Sequence, residues 1–111
     1  SMGAYAALEY TRFQPHRVSA VACIAGYYDV RCAQDLAQTI GHIPLLVVHF
    51  SCDAVCPVAP MKQLIEKRQM FSAATTDAWI LQGEGHCGTE KERQKALDWL
   101  HAIPRAVQTS Q

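Results

Sequence analysis

Pro44-Leu-Leu-Val-Val-His49-Phe50-Ser51-Cys52-Asp53-Ala54-Val55-Cys56-Pro57 carries the pattern from which the architecture follows. Its first six residues form a short, β-rich apolar run, which reads as a strand buried on both faces. Its end is a small polar loop closing on a proline, the residue best tolerated in the first turn of a helix, where the backbone N–H has no partner to lose. Strand, loop, helix is therefore the expected order: a strand over Pro44–His49 and a helix over about Pro57–Phe71. In that helix Met61, Leu64, Ile65 and Met70 turn inward, and Lys62, Glu66, Lys67 and Arg68 largely face water.

The same alternation extends in both directions. Upstream, residues 2 to about 13 place Ala4, Ala7, Leu8 and Thr11 on one stripe, with Ala6, Tyr10 and Phe13 widening it, so a mostly buried helix is expected, closed by Pro15. Val18–Ile24 reads as a second buried strand ending at Gly26. Ala33–Ile40 reads as a short amphipathic helix with Gly41 at its C-cap. Downstream, Asp77–Gln82 reads as a third strand, Gly83–Thr89 as a loop, and Glu90–Ile103 as a last helix. Ala96, Leu97 and Leu100 turn inward there, and Pro104 stops it. The tail from Arg105 to Gln111 is polar and expected to fray. Strands joined by helical crossovers predict an α/β fold: a parallel sheet covered by helices in three αβα layers, one domain over residues 1–111. Three strands make a thin sheet, which predicts that the N-terminal part of the domain is missing.

Composition narrows the function. The 111 residues are 50% hydrophobic, enough for one core. Ten basic and ten acidic residues balance to a net charge of zero with no basic run, so nucleic acid is not an expected partner. No apolar stretch approaches the roughly 20 residues that span a bilayer. Five cysteines, Cys23, Cys32, Cys52, Cys56 and Cys87, are an odd number at irregular spacings. Reduced thiols in a cytoplasmic protein are the expectation. His49, Cys52, Cys56, His86 and Cys87 could supply metal ligands, but they lack the paired Cys-x-x-Cys knuckles of a zinc site, so no metal is expected.

In an open parallel sheet, ligand-handling residues gather beyond the carboxyl ends of the strands. Here those loops hold Tyr27–Asp29, Ser51–Cys56 and Gly83–Gly88. Ser1-Met2-Gly3 would join them if a strand preceded it. These three residues read as the second half of a G-x-S-x-G turn, in which a strained bend exposes Ser1. The Met2 N–H then donates to a developing oxyanion, and Gly3 permits close approach of the helix.

Taken together, Ser1-Met2-Gly3, His49-Phe-Ser-Cys-Asp53-Ala-Val-Cys-Pro57 and Gly83-Glu-Gly-His86-Cys-Gly88 resemble the α/β-hydrolase family, whose acid loop commonly reads HGxxDxxVP and whose histidine loop commonly reads GxGH. The resemblance covers essentially the whole chain and corresponds to the C-terminal half of that fold. The short stretch between the first two strands leaves no room for a large cap. That implies the lidless esterase, phospholipase/carboxylesterase and dienelactone-hydrolase-like branch. Three positions depart from the pattern: Phe50 stands where the family usually has Gly, Cys56 where it usually has Val, and the elbow's first Gly is absent.

The resemblance implies a serine hydrolase of carboxylic esters, thioesters or lysophospholipids, without a cofactor. A Ser hydroxyl needs a base to become nucleophilic, and an imidazole can take its proton and return it to the leaving group. Ser1 is thus the nucleophile and His86 the base. Asp53 is the acid that fixes the imidazole tautomer, and Met2 is an oxyanion donor. Asp29, after the preceding strand, is the rival acid. Tyr27 and Tyr28 are candidate substrate-binding residues or simple packing. His49 reads as a structural, satisfied histidine, whereas His16, His42 and His101 read as solvated. The plainer alternative for Asp53 is an Asx-type turn before the Pro57 helix. The competing function is a truncated, inactive hydrolase-like fragment serving as a binding module. An N-terminal-nucleophile hydrolase is disfavoured, since it is built on antiparallel sheets. Lacking a strand before Ser1, the chain alone is expected to turn over esters poorly.

Overall fold

The computed structural model describes residues 2–71, 74, 76–85 and 89–102. Ser1, the His86-Cys87-Gly88 segment, Ile103, Pro104 and the tail lie outside the described residues. Three strands, β1 (Val21–Ile24), β2 (Leu45–Cys52) and β3 (Thr76–Glu84), form a parallel sheet in the order β1-β2-β3. Four α-helices accompany them: α1 (Met2–Phe13), α2 (Ala33–Thr39), α3 (Ala59–Phe71) and α4 (Glu90–Ala102).

Strand alternation sorts the side chains into two cores. Val21, Cys23, Leu45 and Val47 face a core with Ala4 and Leu8 of α1, Leu36 of α2, and Met61 and Leu64 of α3. Leu46 and Val48 face the other side, where Ala96 of α4 meets Ala22, Ile24, Trp79, Leu81 and Trp99. The sheet is thus the middle of three layers. Central strand β2 is buried continuously from Leu45 to His49, as expected for a strand covered on both faces.

The element boundaries shift in instructive ways. β1 begins at Val21, because Val18 is still the cap of a 3₁₀ turn over Pro15–Arg17. β2 runs past His49 to Cys52 through a register irregularity between Phe50 and Cys52. Helix α3 starts at Ala59 rather than Pro57, with Pro60 in its first turn. The C-cap of α2 is Ile40, and Gly41 follows it, donating its N–H to Gln38 O at 3.3 Å.

Three assignments of helix faces are corrected. In α1 the buried stripe is Ala4, Leu8 and Thr11, while Ala6, Tyr10 and Phe13 are exposed. Only a narrow face therefore packs on β1. In α3 the inward stripe is Met61, Leu64 and Arg68, spaced three and four apart, so Met70 faces water at 69% exposure. Arg68, expected in water, is fully buried. Its Nη1 and Nη2 donate to the carbonyls of Ile40 and Ile43, each at 2.6 Å, and Nε donates to Thr76 Oγ1 at 3.2 Å. Burial pushes the Arg68 pKa down to about 10, which still leaves it charged at neutral pH. In α4 the inward positions are Glu92, Ala96 and the half-buried Trp99, and Leu97, one step off that stripe, is exposed.

Candidate active site

The carboxyl ends of β1 and β2 form one rim of the sheet, and two candidate acids lie on it. Asp53 directly follows β2. Its side chain is fully buried, as is that of His49, whose Nε2 stands 3.8 Å from Asp53 Oδ2. Asp53 Oδ1 accepts the amides of Val55 at 2.8 Å and Cys56 at 2.9 Å. This is the Asx geometry in which a short carboxylate folds the chain around itself. It also gives Asp53 a fixed rotamer, because one oxygen is held by two backbone donors.

Asp29 is in a different state. It lies half-buried after β1, and Arg31 grips it: Nη2 to Oδ2 at 2.7 Å, Nε to both oxygens, and the Arg31 amide to Oδ1 at 2.9 Å. Those hydrogen bonds hold its pKa down at about 2. Its carboxylate is thus engaged by a neighbouring cation on an open surface.

A cleft of about 380 Å³ opens on this rim, lined by Met2, Tyr5, Tyr27, Asp29 and Cys56. Met2 opens α1, so its N–H is among the helix-start amides that have no intrahelical acceptor. Gly26 lets α1 approach the loop after β1, since a Cβ there would stand 3.2 Å from Ala4 Cβ. Ala25 just before it takes the left-handed region at φ 55° and donates its N–H to Val48 O at 2.9 Å.

The two tyrosines part company. Tyr27 is half exposed and lines the cleft. Tyr28 is buried, and its hydroxyl donates to Glu9 Oε1 at 2.5 Å. Arg12 joins this group by pairing with both Glu9 and Asp35 at 3.2 Å. The Tyr28 and Arg12 hydrogen bonds lower the Glu9 pKa, while burial and then the Glu9 bond raise that of Tyr28. Tyr28 thus fastens α1 to the segment after β1. Cys56, in the expected Ser51–Cys56 rim loop, lines the cleft, and so does Tyr5, which was not among the expected site residues. The available signal for Tyr5 was its place one turn into α1, where it stacks on Tyr27 with ring centroids 6.4 Å apart.

The remaining expectations divide. Ser1, His86 and Cys87 lie outside the described residues. Among the described residues, no three His, Cys, Asp or Glu side chains gather as a metal site. Cys23, Cys32, Cys52 and Cys56 are free thiols. His16, His42 and His101 are exposed. No described helix is long and apolar enough to cross a membrane. A second cavity, of about 620 Å³, lies between the sheet and α4, walled by Val48, Trp79 and Leu81 with Glu92 and Lys95.

No protein-family model matches the sequence, and no curated protein does. Solved structures do match the fold. A thermostable esterase is similar over 92% of this chain, with a TM-score of 0.72 and 22% identity. Acyl-protein thioesterase 2 of Zea mays is similar over 94%, with a TM-score of 0.76 and 20% identity. Esterase PE8 is similar over 77%, with a TM-score of 0.61 and 23% identity. The chain spans 28%, 53% and 39% of those three proteins. The likeness gives the architecture: a parallel three-stranded sheet between helices, an α/β-hydrolase-like fold matching part of these esterases.

Proposed function

We propose that this chain carries the nucleophile, acid and base of a serine hydrolase that cleaves carboxylic esters or thioesters through an acyl-enzyme. Lysophospholipids belong to the same substrate class. Ser1 Oγ attacks the acyl carbonyl as His86 takes its proton, and the oxyanion is held by the Met2 N–H. His86 returns the proton to the departing alcohol or thiol. Water, deprotonated by the same imidazole, then releases the acid and restores Ser1. Asp53 orients His86 and stabilises the imidazolium. The cleft lined by Met2, Tyr5 and Tyr27 receives the acyl group.

The observation that carries this reading is the state of Asp53. A carboxylate that is fully buried at the end of the central strand, with one oxygen fixed by two amides, is what an orienting acid requires. The arginine-gripped Asp29 is the weaker choice. The likeness to esterases and a thioesterase supports the reaction class. Free cysteines fit a reducing, cytoplasmic setting. The test is reaction with a serine-directed fluorophosphonate in the longest natural form of the protein. Labelling is expected at Ser1 and lost in Ser1→Ala. Labelling that persists in the alanine variant removes Ser1 from the mechanism.

A further inference from the structure

His49 ends the fully buried run of β2, a place where an aliphatic or aromatic side chain would fill the same space without desolvating polar atoms. Its Nδ1 is buried with no hydrogen-bond partner, and an unpaired buried nitrogen is a cost. A histidine that only filled space here would therefore be a poor choice. What the imidazole supplies is on its other nitrogen: Nε2 lies 2.6 Å from the Cys56 carbonyl oxygen. A carbonyl can only accept, so Nε2 carries a proton.

That bond crosses the loop that holds Asp53. The Cys56 backbone is gripped on both sides of its Cα, its N–H by Asp53 Oδ1 and its carbonyl by His49 Nε2. One of the two amides that fix the Asp53 rotamer thus belongs to a residue that β2 itself pins in place. Cys56 also lines the cleft, so the same bond holds part of the cleft wall. The geometry assigns His49 as a positioning residue for Asp53: its Nε2–H holds the 53–56 loop closed, an inference that rests on the reading of Asp53 as the orienting acid. His49 does not touch the reacting atoms.

The test has two readouts that need no turnover. In ¹⁵N-labelled protein, long-range imidazole correlations should show His49 protonated on Nε2. In His49→Phe the Val55 and Cys56 amides should exchange at least about tenfold faster than in wild type, and His49→Gln, whose side-chain amide reaches the Nε2 position, should restore most of that protection. In the form that hydrolyses esters, His49→Phe should lower kcat by about 10- to 100-fold at unchanged KM, with recovery in His49→Gln. An Nε2 that carries no proton overturns the proposal. So does unchanged amide exchange, or unchanged kcat, in a folded His49→Phe. If His49→Phe does not fold, the wild-type tautomer and the protection retained by His49→Gln decide. Absence of wild-type turnover would count against the proposed hydrolase instead, and the tautomer and exchange would still judge the hold on the loop.

Discussion

Phe50 packs against Gly85: a Cβ on Gly85 would stand 3.4 Å from Phe50 Cδ2 and Cε2, and Gly85 itself holds φ +139°. The Phe50 ring therefore braces the backbone at Gly85. Gly85→Ala would force a side chain into a backbone region that L residues rarely adopt, at about 1–3 kcal/mol. The urea midpoint should fall accordingly, and fluorophosphonate labelling should slow. An unchanged midpoint would mean that the loop is not held in this conformation.

Ala25 presents the opposite case. A non-glycine residue at φ 55° beside Gly26 carries left-handed strain of about 1–2 kcal/mol. Ala25→Gly should raise stability by about 0.5–1 kcal/mol, since relief of strain outweighs the added freedom of the unfolded chain. Denaturant titration checks the sign, and a loss of stability would show that this turn is unstrained.

How much of this was legible in the sequence depends on which force decides each feature. The alternation of strands and helices, the parallel sheet and the shared rim follow from apolar runs such as Pro44–His49 and from prolines at helix ends. Long-range pairing left no local signal. Arg68 has the look of a surface residue until three acceptors from Ile40, Ile43 and Thr76 meet it. Met70 and Leu97 are apolar but lie off the stripes that Arg68 and Ala96 define. At the site, the Asx turn was legible from Asp53 standing just before the Pro57 helix start, and it forms. The division of labour between Tyr27 and Tyr28 could not be read, because it turns on Glu9 of α1 reaching the Tyr28 hydroxyl.

Arg68 ties the end of α2 and the entry to β2 to α3. Replacing it by Ala removes the guanidinium donors from the buried Ile40 and Ile43 carbonyls, leaving Ile40 O with the Ile43 N–H, which should cost about 2–4 kcal/mol. Arg68→Lys should recover part of this, because a single ammonium cannot reproduce the two-pronged fork. Thermal and urea unfolding measure both, and a loss below about 0.5 kcal/mol in Arg68→Ala would contradict the tie.

The grip of Arg31 on Asp29 has a pH signature. Asp29 has a folded pKa depressed to about 2 against about 3.9 in an unfolded chain. Its pair therefore contributes to stability above about pH 4 and loses that contribution as pH falls through the folded value. A ¹³C carboxyl titration should find the Asp29 midpoint near 2, moving toward 4 in Arg31→Ala. A midpoint near 4 in the wild type would show that Arg31 is not engaged.

The most direct measurement compares the two acids in the longest natural form of the protein, using kcat for a short p-nitrophenyl ester. If Asp53 is the orienting acid, Asp53→Asn should lower kcat by several orders of magnitude, on the order of 10⁴ by analogy with Ser-His-Asp triads, while Asp29→Asn should change it by no more than about threefold. The reverse ranking would transfer the orienting role to Asp29 and contradict the assignment built on the buried Asp53 carboxylate.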